Sequence, residues 1–155
     1  MTTERLLSRE RLGFDVPPPA TSAGRYAGYV SMGGIVTINQ GPLIGDQMPH
    51  TGRIGDTVTM DQAIEAARLC AANVLVQLQL ACDGDLDRVA CCYRLGGFLN
   101  AVDGFTQHSA VMNGASDVVH AVLGEEMRHS RFVVGCNSLP YDLTMELEGW
   151  FGIRA

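Results

Sequence analysis

At 155 residues, with 46% hydrophobic and 18% charged side chains, the chain is one domain's worth of globular sequence, long enough to bury a core without disulfide or metal staples. No apolar run approaches the ~20 residues that a membrane span requires. A net charge of −6, with 11 scattered basic residues that are all arginine, argues against nucleic acid as a partner, because that affinity comes from clustered cations that neutralise phosphates. The opening "MTTERLLSRERLGFDVPPP" has mixed charge and lacks the apolar centre of a secretory signal, so a cytoplasmic location is expected, with neither membrane nor nucleic acid bound.

Residues 1–155 read as a single domain with an arm over 1–23. Three consecutive prolines, Pro17 to Pro19, resist both helix and central strand and predict that the arm is extended. "YAGYVSMGGIVTINQGPL" places β-branched and aromatic residues on either side of Gly33-Gly34 and predicts a hairpin. "IGDQMPHTGRIGD" has turn residues and no periodicity, so it is a covering loop. A long helix follows: Thr59 and Gln62 fit a capping box, and Ala63, Ala66, Ala67, Cys70, Ala71, Val74, Leu75 and Leu78 repeat on one face.

Next, Val89, Cys91, Tyr93 and Leu95 alternate with Ala90, Cys92 and Arg94, which predicts a strand buried on both faces, and Gly96-Gly97 reads as a bulge. Val111, Ala115, Val118, Val119 and Val122 form the stripe of a second helix over about Thr106 to Leu123, with Gly124 at its C-terminal cap. Ser130 to Cys136 and then "LTMELEGWFGI" alternate as strands. Hairpin, helix, strand, helix, strand, strand predicts an α+β domain: one mixed sheet with two helices on one face, the other face left bare for self-association.

The five cysteines are odd in number, without a Cys-x-x-Cys pair, and are expected to be reduced and buried, with no metal bound. Arg131 is the residue out of place. A guanidinium inside a strand needs an anion, and two sources are open: a structural ion pair with Glu146 or Glu148, or the carboxylate of a ligand.

"RFVVGCNSLPYDLTMELEGWF" resembles the C-terminal signature of the Rid family (reactive intermediate deaminases, also called YjgF-like): an Arg opening a strand, Leu-Pro about eight residues on, then a strand with alternating acids. "LGGFLNAVDGFTQHSAVMNGASDVVHAVLG" and "AARLCAANVLVQLQLACDGDLDRV" resemble the family's upstream segments, so the likeness covers roughly Gly24 to Ile153. "TINQGP" departs from the family's Ser-Gly-Gln-like turn, and the whole looks closer to an outlying branch than to the central imine deaminases.

The resemblance implies a chorismate-mutase-like fold and a homotrimer packed through its bare sheet faces, with sites in the clefts between subunits. It implies a deaminase that hydrolyses small 2-imino or enamine carboxylic acids to 2-keto acids and ammonium without a cofactor. Arg131 would anchor the substrate carboxylate and Glu146 would orient the water; Tyr26, Asn39, Asn113 and Val133 would complete the binding set. Arg131 and Glu146 are thus the catalytic candidates, and Glu148 is assigned to structure or an interface. Histidines 50, 108, 120 and 129 are weaker acid–base candidates. The competing readings are a non-catalytic trimer that binds a small molecule or a protein, a deaminase of a larger, aminomuconate-like enamine acid, and, placed third because of the acidic charge, the nuclease activity ascribed to the family.

Overall fold

A computed structural model describes residues 4–155. Its elements are α1 (Arg9–Leu12), β1 (Tyr29–Met32), β2 (Ile35–Gln40), α2 (Met60–Ala81), β3 (Val89–Asn100), α3 (His108–Leu123), β4 (Ser130–Cys136) and β5 (Met145–Ile153). The strands form one five-stranded mixed sheet in the order β1-β2-β5-β3-β4, in which β3 and β4 are parallel and the other pairs antiparallel. The expected α+β layer arrangement is therefore present.

Local chemistry explains the elements. Gly33 and Gly34 take φ of 60° and 77°, the left-handed pair that a two-residue hairpin turn requires. Thr59 caps α2 with the reciprocal box: Gln62 N donates to Thr59 Oγ1 and Thr59 N donates to Gln62 Oε1, at 3.3 and 2.9 Å. Ala63, Ala66, Ala67, Cys70, Ala71, Val74, Leu75 and Leu78 are all fully buried, and all of these but Ala66 pack with Val36, Ile38, Leu95, Leu99, Met145, Leu147 and Phe151 of the sheet in one core. The α3 stripe is buried as the periodicity predicts.

Three expectations change. The arm contains one helical turn, capped by Ser8 and by Gly13 at φ 79°, and it drives Leu12 into the core at 1% exposure; burying one leucine is worth about 1.5–3 kcal/mol, enough to hold the segment down. β3 is not a plain alternation, because irregularities between Val89/Cys91 and Cys92/Arg94 shift the register and bury Val89, Cys92 and Leu95 while leaving Tyr93 52% exposed. Gly96 and Gly97 lie in regular strand, where the missing side chains make room for the Phe132 ring and for Met112 and Val133.

The sheet has two unlike faces. Leu95, Gly97, Leu99, Met145 and Leu147 face the helices, and the opposite face carries Val30, Met32, Tyr93, Phe98, Val134 and Trp150, each exposed by more than a third. Cys91 and Cys136 are only half-buried, whereas Cys70, Cys82 and Cys92 are buried as expected, and all five are free thiols. No helix among the described residues is long and apolar enough to cross a membrane.

Candidate functional site

Strand register decides where the candidate residues go. Arg131 pairs with Leu95 and Val133 with Gly97, and since residues directly opposite on adjacent strands point to the same side, both side chains lie on the helix-covered face. Glu146 pairs with Phe98, and Glu148 with Gly96 and Asn39, which puts these on the opposite, open face. Within one chain the structure does not bring Arg131 and Glu146 together.

Arg131 lies on β4, an edge strand, under α3. Its Nη1 donates to Ser116 Oγ at 3.0 Å, and its Nη2 donates to Asn113 Oδ1 at 2.8 Å and Ser109 O at 3.3 Å. Ser109, Asn113 and Ser116 are spaced four and three apart, so they share one helix face. Three of the five guanidinium donors are occupied and two remain. No carboxylate lies within ion-pairing distance among the described residues. The structural pair with Glu146 or Glu148 is absent: Glu148 instead accepts from Arg94 Nη2 at 2.6 Å, and Arg94 also stacks over Phe132 and Trp150.

A histidine supports this cradle. His129 Nδ1 lies 3.0 Å from Met127 O, which can only accept, so Nδ1 carries the proton and Nε2 accepts from the Ser116 hydroxyl at 2.9 Å. Burial lowers the His129 pKa, and the neighbouring His120 and Arg131 lower it further against the bond to Met127. A neutral ring is what the chain Arg131 to Ser116 to His129 requires. Of the other histidines, His50 is also held low by burial, and His108 packs edge-on against Phe105.

The second constellation is a cavity of about 440 Å³ on the open face. The end of β2 contributes Asn39, the segment between the arm and β1 Tyr26, β3 Phe98, the turn before β5 Tyr141, and β5 Glu146 and Glu148. Glu146 has no hydrogen-bond or ion-pair partner among the described residues, and burial raises its carboxyl pKa from its ordinary value, the direction that favours taking up a proton. The lining residues include two carboxylates and no arginine or lysine.

The six candidates therefore separate into two groups of three: Tyr26, Asn39 and Glu146 at the cavity, and Asn113, Arg131 and Val133 at the edge. Sequence reasoning missed Ser109, Ser116 and His129 as supports, although the helical spacing of the two serines about Asn113 was a usable signal. It also missed Phe98 and Tyr141 at the cavity, for which no local pattern exists. Burial pushes the Cys92 thiol up to about 12 and Cys70 well above its ordinary value, which disfavours the nucleophilic thiolate at these two positions. No metal-binding cluster occurs among the described residues.

Comparison with known proteins places this geometry. Residues 5–147 match the family described as "YjgF/chorismate mutase-like, putative endoribonuclease". The chain is 40% identical over 144 residues to Protein TCP17 of Trypanosoma cruzi, covering 90% of this chain and 88% of that one. It superposes with a TM-score of 0.87 on Atu1372 of Agrobacterium tumefaciens, a protein of unknown function, at 33% identity over 96% of this chain and 94% of that one. The Shewanella oneidensis protein that carries the same endoribonuclease description matches with a TM-score of 0.87 at 29% identity, over 94% of this chain and 99% of that one. The chain belongs to the YjgF/chorismate mutase-like family, as the motifs around Arg131 and Leu139-Pro140 lead one to expect.

Proposed function

We propose that the protein is a hydrolytic deaminase of 2-imino or enamine carboxylic acids, and that its site closes between two copies of the chain. One copy supplies the cavity with Glu146, and the next supplies the β4 edge with Arg131. One observation carries this reading: the two halves are incomplete in complementary ways. The cavity has one unpaired carboxylate, Glu146, its other carboxylate Glu148 being held by Arg94, and no arginine or lysine in its lining, while the edge has a cation and no anion. The exposed apolar residues of the open face fit the trimeric packing that would juxtapose them.

In this mechanism the two free donors of Arg131 hold the substrate carboxylate with charge-assisted hydrogen bonds, and Asn113 and Ser116 keep the guanidinium aimed. Glu146, made basic by burial, takes a proton from water as the water oxygen bonds to C2 and the C=N pair moves to nitrogen. That nitrogen takes the proton back from Glu146 and then, with Glu146 as relay, the proton of the C2 hydroxyl, and it leaves as ammonia as the C–N bond breaks and the C2 oxygen becomes the keto group. Water and imine are consumed, keto acid and ammonia are released, and no electrons are exchanged. Because such imines also hydrolyse in water, orientation can supply most of the acceleration.

The endoribonuclease description of the relatives supports a second class, RNA cleavage. The net charge of −6 and a cavity whose lining holds two glutamates and no arginine or lysine disfavour it here. A binding protein without catalysis is the remaining alternative. Keto-acid release from imines generated in situ by an amino acid oxidase separates them. Arg131→Ala and Glu146→Gln are each expected to lower kcat/KM at least about tenfold; rates equal to wild type for both would contradict the deaminase reading.

A further inference from the structure

The turn between β4 and β5 has an unusual backbone. Tyr141 lies at φ 57° and ψ 22°, and Asp142 follows at φ 55°, so two successive side-chain-bearing residues are left-handed. Such positions cost energy and persist only where surrounding structure over-determines them. Here Asn100, fully buried, donates through Nδ2 to Asp142 Oδ1 at 3.0 Å and to Leu143 O at 3.3 Å, and Gly52 N donates to Asp142 O at 2.8 Å. A turn needed only to reverse the chain would be served at lower cost by glycine or asparagine.

What the strained turn accomplishes is the placement of a ring. Tyr141 lines the cavity yet stays 61% exposed, as does Tyr26 at 63%, and Phe98 and Met48 line the same space. The Tyr141 and Tyr26 rings are exposed enough to meet a ligand, and a planar partner is what an aromatic face prefers. In the single chain the space beside these rings measures about 440 Å³ before a second copy closes over it, more than a short-chain imino acid fills.

We infer that Tyr141 is a specificity-determining residue, and that the cavity takes 2-imino acids bearing a planar aromatic or conjugated side chain, which stacks on the Tyr141 ring. This rests on the deaminase reading above and names its substrate class. The reacting end of the molecule meets Glu146, and the planar end reaches the turn.

The test uses D-amino acid oxidase with D-phenylalanine or D-alanine to generate an aromatic and a short imine, and follows keto-acid release above the enzyme-free rate. Wild type is expected to favour the aromatic imine at least about tenfold in kcat/KM. Tyr141→Asn, which tolerates the left-handed backbone, is expected to remove that preference while changing the short imine less than about threefold, and Tyr141→Phe to retain it. No aromatic preference in wild type, or equal losses on both imines in Tyr141→Asn, would overturn the inference. Glu146→Gln separates this outcome from failure of the function itself: if it leaves both rates at the wild-type level, the deaminase reading falls whatever Tyr141 does. Calorimetric binding of phenylpyruvate against pyruvate gives an independent readout; tighter binding of phenylpyruvate, weakened in Tyr141→Asn, supports the inference, and equal binding of the two opposes it.

Discussion

Arg131 and Glu146 show how far single residues could be read. Their separation along the chain and their residue types were visible, but their opposition across the sheet was not. The two-residue period tells which neighbours share a face within a strand; it says nothing about which residue of β3 each strand meets. That register, Leu95 with Arg131 and Phe98 with Glu146, comes from core packing that involves distant segments. Glu146 has a testable consequence at this scale. Burial raises its pKa, so the folded state holds this proton more tightly than the unfolded chain, whose value is about 4.3. Its stabilising contribution is present below the unfolded value and is lost as pH rises through the folded one. Glu146→Gln is therefore expected to raise the Tm at neutral pH and to lose that advantage in acid; a Tm gain of the same size at all pH values would contradict the shift. The acid limb of kcat/KM in wild type is expected shifted up from the ordinary carboxylate value and absent from the residual activity of Glu146→Gln.

Elements were legible where local chemistry dictates them and obscure where tertiary contacts do. The capping box at Thr59, the Gly33-Gly34 turn and the small-residue face of α2 each state their structure within a few residues. The α1 turn in the arm does not, because its caps at Ser8 and Gly13 enclose four residues that no periodicity can announce. β3 was misread for a related reason, since its register shifts answer to pairing with β5. Thr59→Ala is expected to cost about 1 kcal/mol in denaturant unfolding, and Leu12→Ala about 2–5 kcal/mol. If Leu12→Ala unfolds at the wild-type midpoint, the arm is not part of the folded core. His129 belongs to this scale because it joins the β4 entry to α3 through Ser116. With its pKa lowered, it stabilises the neutral form above about pH 6.5, and that contribution is lost as pH falls through the lowered value.

At the scale of the molecule, the layer arrangement and the bare apolar face followed from the order and patterning of elements, and the family from ordered motifs over most of the chain. The division of the site into a cavity half and an edge half followed from neither, because it depends on which sheet face each strand presents. That division also makes the account testable through assembly. A site shared by neighbours in a closed ring can be rebuilt from two different defective chains, whereas a site within one chain cannot. Co-expression of Arg131→Ala with Glu146→Gln, followed by imine hydrolysis on the purified mixed assemblies, is the most direct measurement. Random mixing of equal amounts should restore about one quarter of the wild-type sites in a cyclic oligomer. Activity no higher than that of the two variants purified apart would contradict a site completed between copies.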